Sequence, residues 1–219
     1  MTALLLSYAT ALMLGGLHAL EADHMAAVTS FAVRRPGLRE AVRFSVRWSI
    51  GHGGAVVLIG TGLILLGIHM PGGAADWLER LVGAVMVGLG TWTFRGARDL
   101  HAHTHSHGDG LIHAHLHSHA IVDDHDHGHA VTAVGLLHGL AGSGAAVALI
   151  PLVAFDSPIS GIFYLVLFAI GTIGGMAMYG LLAGFVVGRT AGRSVGLARL
   201  LARVTGTITI LIGLVWLLR

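Results

Sequence analysis

The chain alternates long apolar stretches with short connections that carry most of its arginines. Six stretches stand out, at about 3–28, 44–67, 78–97, 131–154, 159–188 and 200–218. Each approaches or exceeds the roughly 20 residues needed to cross the hydrocarbon core of a bilayer. The pattern predicts an all-α integral membrane protein with six transmembrane helices. The first stretch does not read as a signal peptide, because it lacks a basic leader and runs straight into a polar cluster. Composition sharpens the picture. Only 11% of residues are charged and 54% are hydrophobic, with a mean hydropathy of +0.78, whereas about a quarter of an ordinary soluble domain is charged. A soluble enzyme, a nucleic-acid module and a disordered chain are excluded. The chain has no cysteine, which removes disulfides, zinc–thiolate sites and iron–sulfur clusters.

The basic sequence pI of about 9.7 reads through the placement of the arginines, not through a nucleic-acid partner. The first connection and its flanks hold Arg34, Arg35, Arg39, Arg43 and Arg47, the third Arg95 and Arg98, and the fifth Arg189, Arg193, Arg199 and Arg203. Only Arg80 and Arg219 fall toward the opposite side. The positive-inside rule places these odd-numbered connections in the cytoplasm and both termini outside a plasma (inner) membrane.

The two halves of the chain resemble each other. HALEADHMAAV around His18 matches HGLAGSGAAVA around His138, IGHGGAVV from Ile50 matches IGTIGGMA from Ile170, and LERLVG from Leu78 matches LARVTG from Leu201. The offsets are 120, 120 and 123 residues. Three matches in order at a near-constant offset predict a 3+3 repeat, and an odd number of spans per repeat forces opposite orientations in the membrane. The expected organisation is a first three-helix repeat over 1–97, a loop over 98–130, and a second repeat over 131–219. Gly171, Gly175, Gly180, Gly184 and Gly188 in the fifth stretch predict close helix packing.

Candidate chemistry lies in the first span. His18, Glu21, Asp23 and His24 interrupt an otherwise apolar run. A charged side chain at mid-membrane costs about 2.5–3.5 kcal/mol on insertion scales, so such groups need partners. A divalent metal ion is a natural one: imidazole suits nickel, cobalt, copper and zinc, and a carboxylate neutralises charge. A regular helix sets His18 about 140° from Asp23 and about 120° from His24, so the helix must be distorted or other spans must contribute. The Gly15-Gly16 pair is the weak point this reasoning selects. His52, between Gly51 and Gly53 in the second span, is a further ligand candidate. Glu21 and His138 are the second choice, Glu21 as ligand, hydrogen-bond acceptor for an imidazole, or proton carrier. Asp23 and His24 align with Ser143 and Gly144, so the halves are chemically unequal.

H-x4-D-H within a span, followed by G-H in the next, resembles the nickel/cobalt transporter superfamily (its NiCoT and NicO branches), and GLLHGLAGSGAA resembles the six-span UreH-like members. The resemblance covers most of the chain. It implies that His18, Asp23 and His24 form the metal-recognition element with His52, and that Ni2+ or Co2+, with Zn2+ next, is the transported substrate and no cofactor is held. The longer members' additional N-terminal span and L-G-x-D-T motif are absent here, and Glu-Ala-Asp-His stands where the efflux branch tends to have Glu-Pro-Gly-His. Uptake and efflux both stay open.

Residues 98–130 hold a low-complexity tract in which His101, His103, His105, His107, His113, His115, His117, His119, His125, His127 and His129 alternate with small or polar residues. Such composition reads as low-specificity metal binding, cytoplasmic by the arginine rule and disordered without metal. No G-x4-G-K-[ST] and no lysine occur, so this chain carries no ATPase motif. An intramembrane protease is the enzyme alternative, but Ala141-Gly142-Ser143-Gly144 departs from G-x-S-G and the sixth span has no histidine base. The expectation is a membrane transporter of divalent transition metals, not an enzyme. The alternative is an efflux pump of the same family, or a non-transporting metallochaperone that supplies nickel to an enzyme such as urease. The expected partners are the metal, the lipid bilayer and a soluble nickel donor or acceptor, with no nucleic acid.

Overall fold

The computed structural model describes residues 2–68, 72–98, 100–106, 112–118, 128–141, 155 and 157–218. Its elements are helices α1 (Thr2–His18), α2 (Ala22–Arg34), α3 (Leu38–Leu66) and α4 (Gly72–Gly96), strands β1 (Leu100–Ser106) and β2 (Ile112–Ser118), then helices α5 (Gly128–Ala141), α6 (Pro158–Arg193) and α7 (Val195–Leu217). Among the described residues, α3, α6 and α7 are long and apolar enough to cross a membrane, and α1 with α2 make a fourth if the bent pair is one span. α4 has the length, about 37 Å at 1.5 Å per residue, but carries Glu79 and Arg80. α5 covers the start of the fourth stretch, and 142–154 lie outside the described residues. The surface is inverted relative to a soluble protein. Leu58, Met178 and Ile159 are 71%, 71% and 78% exposed, while His18, Asp23, His24, His52 and His138 are buried. Exposed apolar faces around a polar interior are what lipid contact permits; the protein is a multi-pass membrane protein.

The first span is broken, but not at Gly15-Gly16. Leu20 N–H donates to Leu17 O at 2.9 Å and Glu21 N–H to His18 O at 3.0 Å. These short-range bonds tighten and end α1. The backbone at Glu21 is extended, α2 starts afresh at Ala22, and the two helices meet at 52°. Gly15 instead serves packing, because a Cβ there would run into the Phe168 carbonyl of α6.

Close backbone approaches set the helix directions. Leu12 meets Gly171 and Gly16 meets Gly175, so α1 and α6 run parallel; Trp48 meets Gly135 and His52 meets Gly139, so α3 and α5 do too. Ser45 against Gly180 and Ala41 against Gly184 make α3 and α6 antiparallel, and Gly83 against Gly213 with Gly90 against Gly206 do the same for α4 and α7. Gly188 has nothing within 4 Å of a would-be Cβ and plays no such part. α2 is held on its far side by Ser30 Oγ bonding Thr209 Oγ1 of α7 at 2.9 Å and Thr29 Oγ1 bonding the Tyr179 hydroxyl of α6 at 2.8 Å.

Within 98–130 the described residues 100–106 and 112–118 are two short strands. β1 and β2 form an antiparallel ribbon that pairs His101 with His117, His103 with His115 and His105 with His113. Strict alternation is a strand period, which the compositional reading passed over. The Arg199 guanidinium donates from Nε to the Leu100 carbonyl at 3.0 Å, tying the ribbon to α7.

Candidate metal centre

The break after α1 solves the geometric problem that a straight helix poses. His18 ends α1, where the helix dipole favours a cation. Asp23 and His24 occupy the first turn of α2, where the positive helix end favours a carboxylate. The 52° bend brings all three together. α3 adds His52 and α5 adds His138. The four histidines and Asp23 are each no more than 4% exposed.

Contacts within the cluster are short. His18 Nε2 lies 3.1 Å from His52 Nε2. Asp23 Oδ1 accepts the His24 backbone N–H at 2.9 Å and lies 3.0 Å from His24 Nδ1. Asp23 Oδ2 is 2.9 Å from His138 Nε2. Glu21 is at the rim: its carboxylate is 2.9 Å from His18 Nδ1 and its side chain is 39% exposed. Buried polar groups ordinarily have partners, yet among the described residues His24 Nε2, His52 Nδ1 and His138 Nδ1 have no hydrogen-bond partner. Among the described residues two groups, His18–His24–His52 and Asp23–His24–His138, have donor atoms close enough to hold a metal ion.

All four first-choice residues and both second-choice ones therefore meet in one place, His138 in direct contact with Asp23 and Glu21 as a neighbour of His18. Two aromatic walls went unread in the sequence. The Phe168 ring is 5.5 Å from that of His18, and the Trp48 ring is 5.5 Å from that of His138. A signal was present, since Trp48 and Phe168 are 120 positions apart, the same separation as His18 and His138. Of the loop histidines, His107, His119, His125 and His127 lie outside the described residues, as do Ser143 and Gly144, and His129 falls in the first turn of α5.

Residues 5–215 match the family described as the cytochrome c biogenesis protein transmembrane region. The chain belongs to that family. Membership fixes a membrane scaffold, and with no cysteine in the sequence this member has no thiol for thiol–disulfide exchange. The chain is also similar to the urease accessory protein UreH of Bacillus sp. (strain TB-90), with 29% identity over 174 residues, 78% of this chain and 73% of the relative. No solved structure matches it. The family and the relative are described as a biogenesis and an accessory protein, and both point away from an enzyme.

Proposed function

We propose that the protein is a six-span transporter of divalent transition-metal ions, Ni2+ or Co2+, of the nickel/cobalt transporter type. The observation that carries this reading is the buried convergence of four imidazoles and one carboxylate, contributed by α1, α2, α3 and α5, inside a membrane bundle. Apolar surroundings make such a cluster costly unless it binds a cation. Imidazole-rich ligation with one carboxylate suits a borderline ion, not Mg2+ or Ca2+. The similarity to a urease accessory protein agrees with nickel as the ion.

A 3+3 inverted repeat accounts for several independent contacts. Gly15 approaches Phe168 and Gly135 approaches Trp48; adding 120 to 15 and subtracting it from 168 converts one contact into the other. Gly83 with Gly213 and Gly90 with Gly206 interconvert in the same way at an offset of 123. The antiparallel α3–α6 and α4–α7 pairs are what a two-fold axis across the helices, the inverted arrangement, produces. Inverted repeats carry their substrate site near the repeat interface, and here His18 against Phe168 mirrors His138 against Trp48. Arginine placement orients the termini outward and the histidine ribbon into the cytoplasm, where it buffers the ion. Arg34, Arg199 and the start of β1 are at that same end.

The relative's name supports a second reading, a metallochaperone that supplies urease with nickel without moving the ion across the membrane. Radiotracer Ni2+ and Co2+ flux in sealed proteoliposomes separates the two. The transporter gives saturable flux that His18→Ala lowers at least tenfold, whereas a chaperone binds metal with no flux. Flux unchanged in His18→Ala would overturn the site.

A further inference from the structure

The cluster contains two donor sets, and one residue belongs to both. His18, His24 and His52 form one group and Asp23, His24 and His138 the other, each with ligand atoms within 4.8 Å of one another. The His24 ring stands edge-on between the remaining imidazoles, with centroids 4.5 Å from His18, 4.8 Å from His52 and 4.7 Å from His138, at interplanar angles of 72°, 79° and 79°. Its two nitrogens have different surroundings. Nδ1 is 3.0 Å from Asp23 Oδ1, while Nε2 is buried with no hydrogen-bond partner among the described residues. His18 and His52 meet through their Nε2 atoms, and His138 meets Asp23.

We propose that the ion occupies this cluster in two successive positions and that His24 hands it from one to the other. In the first position His18, His52 and His24 Nε2 hold it; in the second Asp23, His138 and His24 Nδ1 do. The inference rests on the transporter reading above.

Accessibility and charge give the two positions an order. The first adjoins the half-exposed Glu21 through His18, so an arriving ion meets it first. The second is walled by buried Trp48 against His138. The first offers three neutral imidazoles and leaves the double charge uncompensated. The second replaces two of them with one imidazole and a carboxylate, whose attraction for a dication grows as water is excluded. Transfer inward is therefore downhill. Each transfer exchanges ligands on the same ion: bonds to His18, His52 and His24 Nε2 break as bonds to Asp23, His138 and His24 Nδ1 form, and the one imidazole proton of His24 leaves Nδ1, beside Asp23 Oδ1, and is replaced by one on the vacated Nε2. Simultaneous filling would place two dications across one imidazole, and their repulsion holds the cluster to one ion at a time.

The test uses Co2+, whose ligand-field absorption reports its donors, on the full chain with the eleven loop histidines changed to serine. The parent binds one Co2+. His52→Ala and His138→Ala each keep one Co2+ but with different spectra, the former carboxylate-containing and the latter all-imidazole. Both lose flux at least tenfold because the relay is cut. His24→Ala binds none. His52→Gln and His138→Gln, which keep a polar group in the pocket, serve where the alanine variants fail to fold. Identical spectra for the two variants, loss of binding in either one alone, or two Co2+ in the parent would overturn the relay. A parent that binds no Co2+ and shows no flux would instead overturn the transporter reading, and the relay with it.

Discussion

Gly15 is three residues before His18, at the point where α1 lies against α6. A Cβ there would run into the Phe168 carbonyl oxygen, with Phe168 C at 2.9 Å and Thr172 N at 3.0 Å behind it. The Thr172 hydroxyl donates to that same carbonyl at 3.0 Å, so α6 cannot step aside cheaply. Gly15→Ala must therefore push α1 outward. Overpacking of this kind costs about 1–3 kcal/mol, and alanine recovers up to about 1 kcal/mol in helix propensity. With that gain in full the net loss is about 0–2 kcal/mol, up to roughly 8 °C in melting temperature at 2–4 °C per kcal/mol for a chain of this size, while the gap to a glycine site without overpacking stays about 1–3 kcal/mol. Gly54→Ala on α3 is the matched control, since nothing lies within 4 Å of its would-be Cβ; it melts at or above the parent temperature. The same displacement carries His18 away from His52, now 3.1 Å distant between Nε2 atoms, and lowers Ni2+ flux at least tenfold. Thermal unfolding in detergent, followed by tryptophan fluorescence, and proteoliposome flux read the two effects. A Gly15→Ala protein that melts with Gly54→Ala would refute the packing of α1 on α6.

Ser30→Ala removes a buried hydrogen bond between α2 and α7. Thr209 already donates to Thr205 O at 2.8 Å, so Ser30 is the donor to Thr209 and no hydrogen is orphaned. The cost is about 1 kcal/mol of stability with Co2+ binding by the cluster unaltered, as read by melting and Co2+ titration; a much larger loss would contradict the assignment of donor and acceptor. Replacing the eleven loop histidines with serine lowers the number of Ni2+ ions bound per chain while flux persists. Abolished flux would show the ribbon to be an obligatory station and not a buffer.

The first span shows most directly what sequence could and could not supply. Its apolar length and the four polar residues inside it announced a membrane helix with a costly interior cluster. Helical periodicity then showed that a straight helix could not gather His18, Asp23 and His24. It could not say where the helix would break, because glycine content is local while the break answers to neighbours: Gly15 and Gly16 pack against α6, and α1 ends instead at His18. In the loop, the alternation of the histidines is legible in the sequence, and β1 and β2 pair on that two-residue period.

Hydropathy, residue type and arginine placement are properties of single positions or short windows. The chain alone therefore determined a membrane protein, the positions of its apolar stretches, and which histidines and acids were worth watching. Whether His52 and His138, dozens of residues away, reach His18 and Asp23 depends on helix directions and on glycine contacts between distant backbones. Only the packed bundle decides that, because contact distances come from the summed fit of many helix surfaces and not from spacing along the chain.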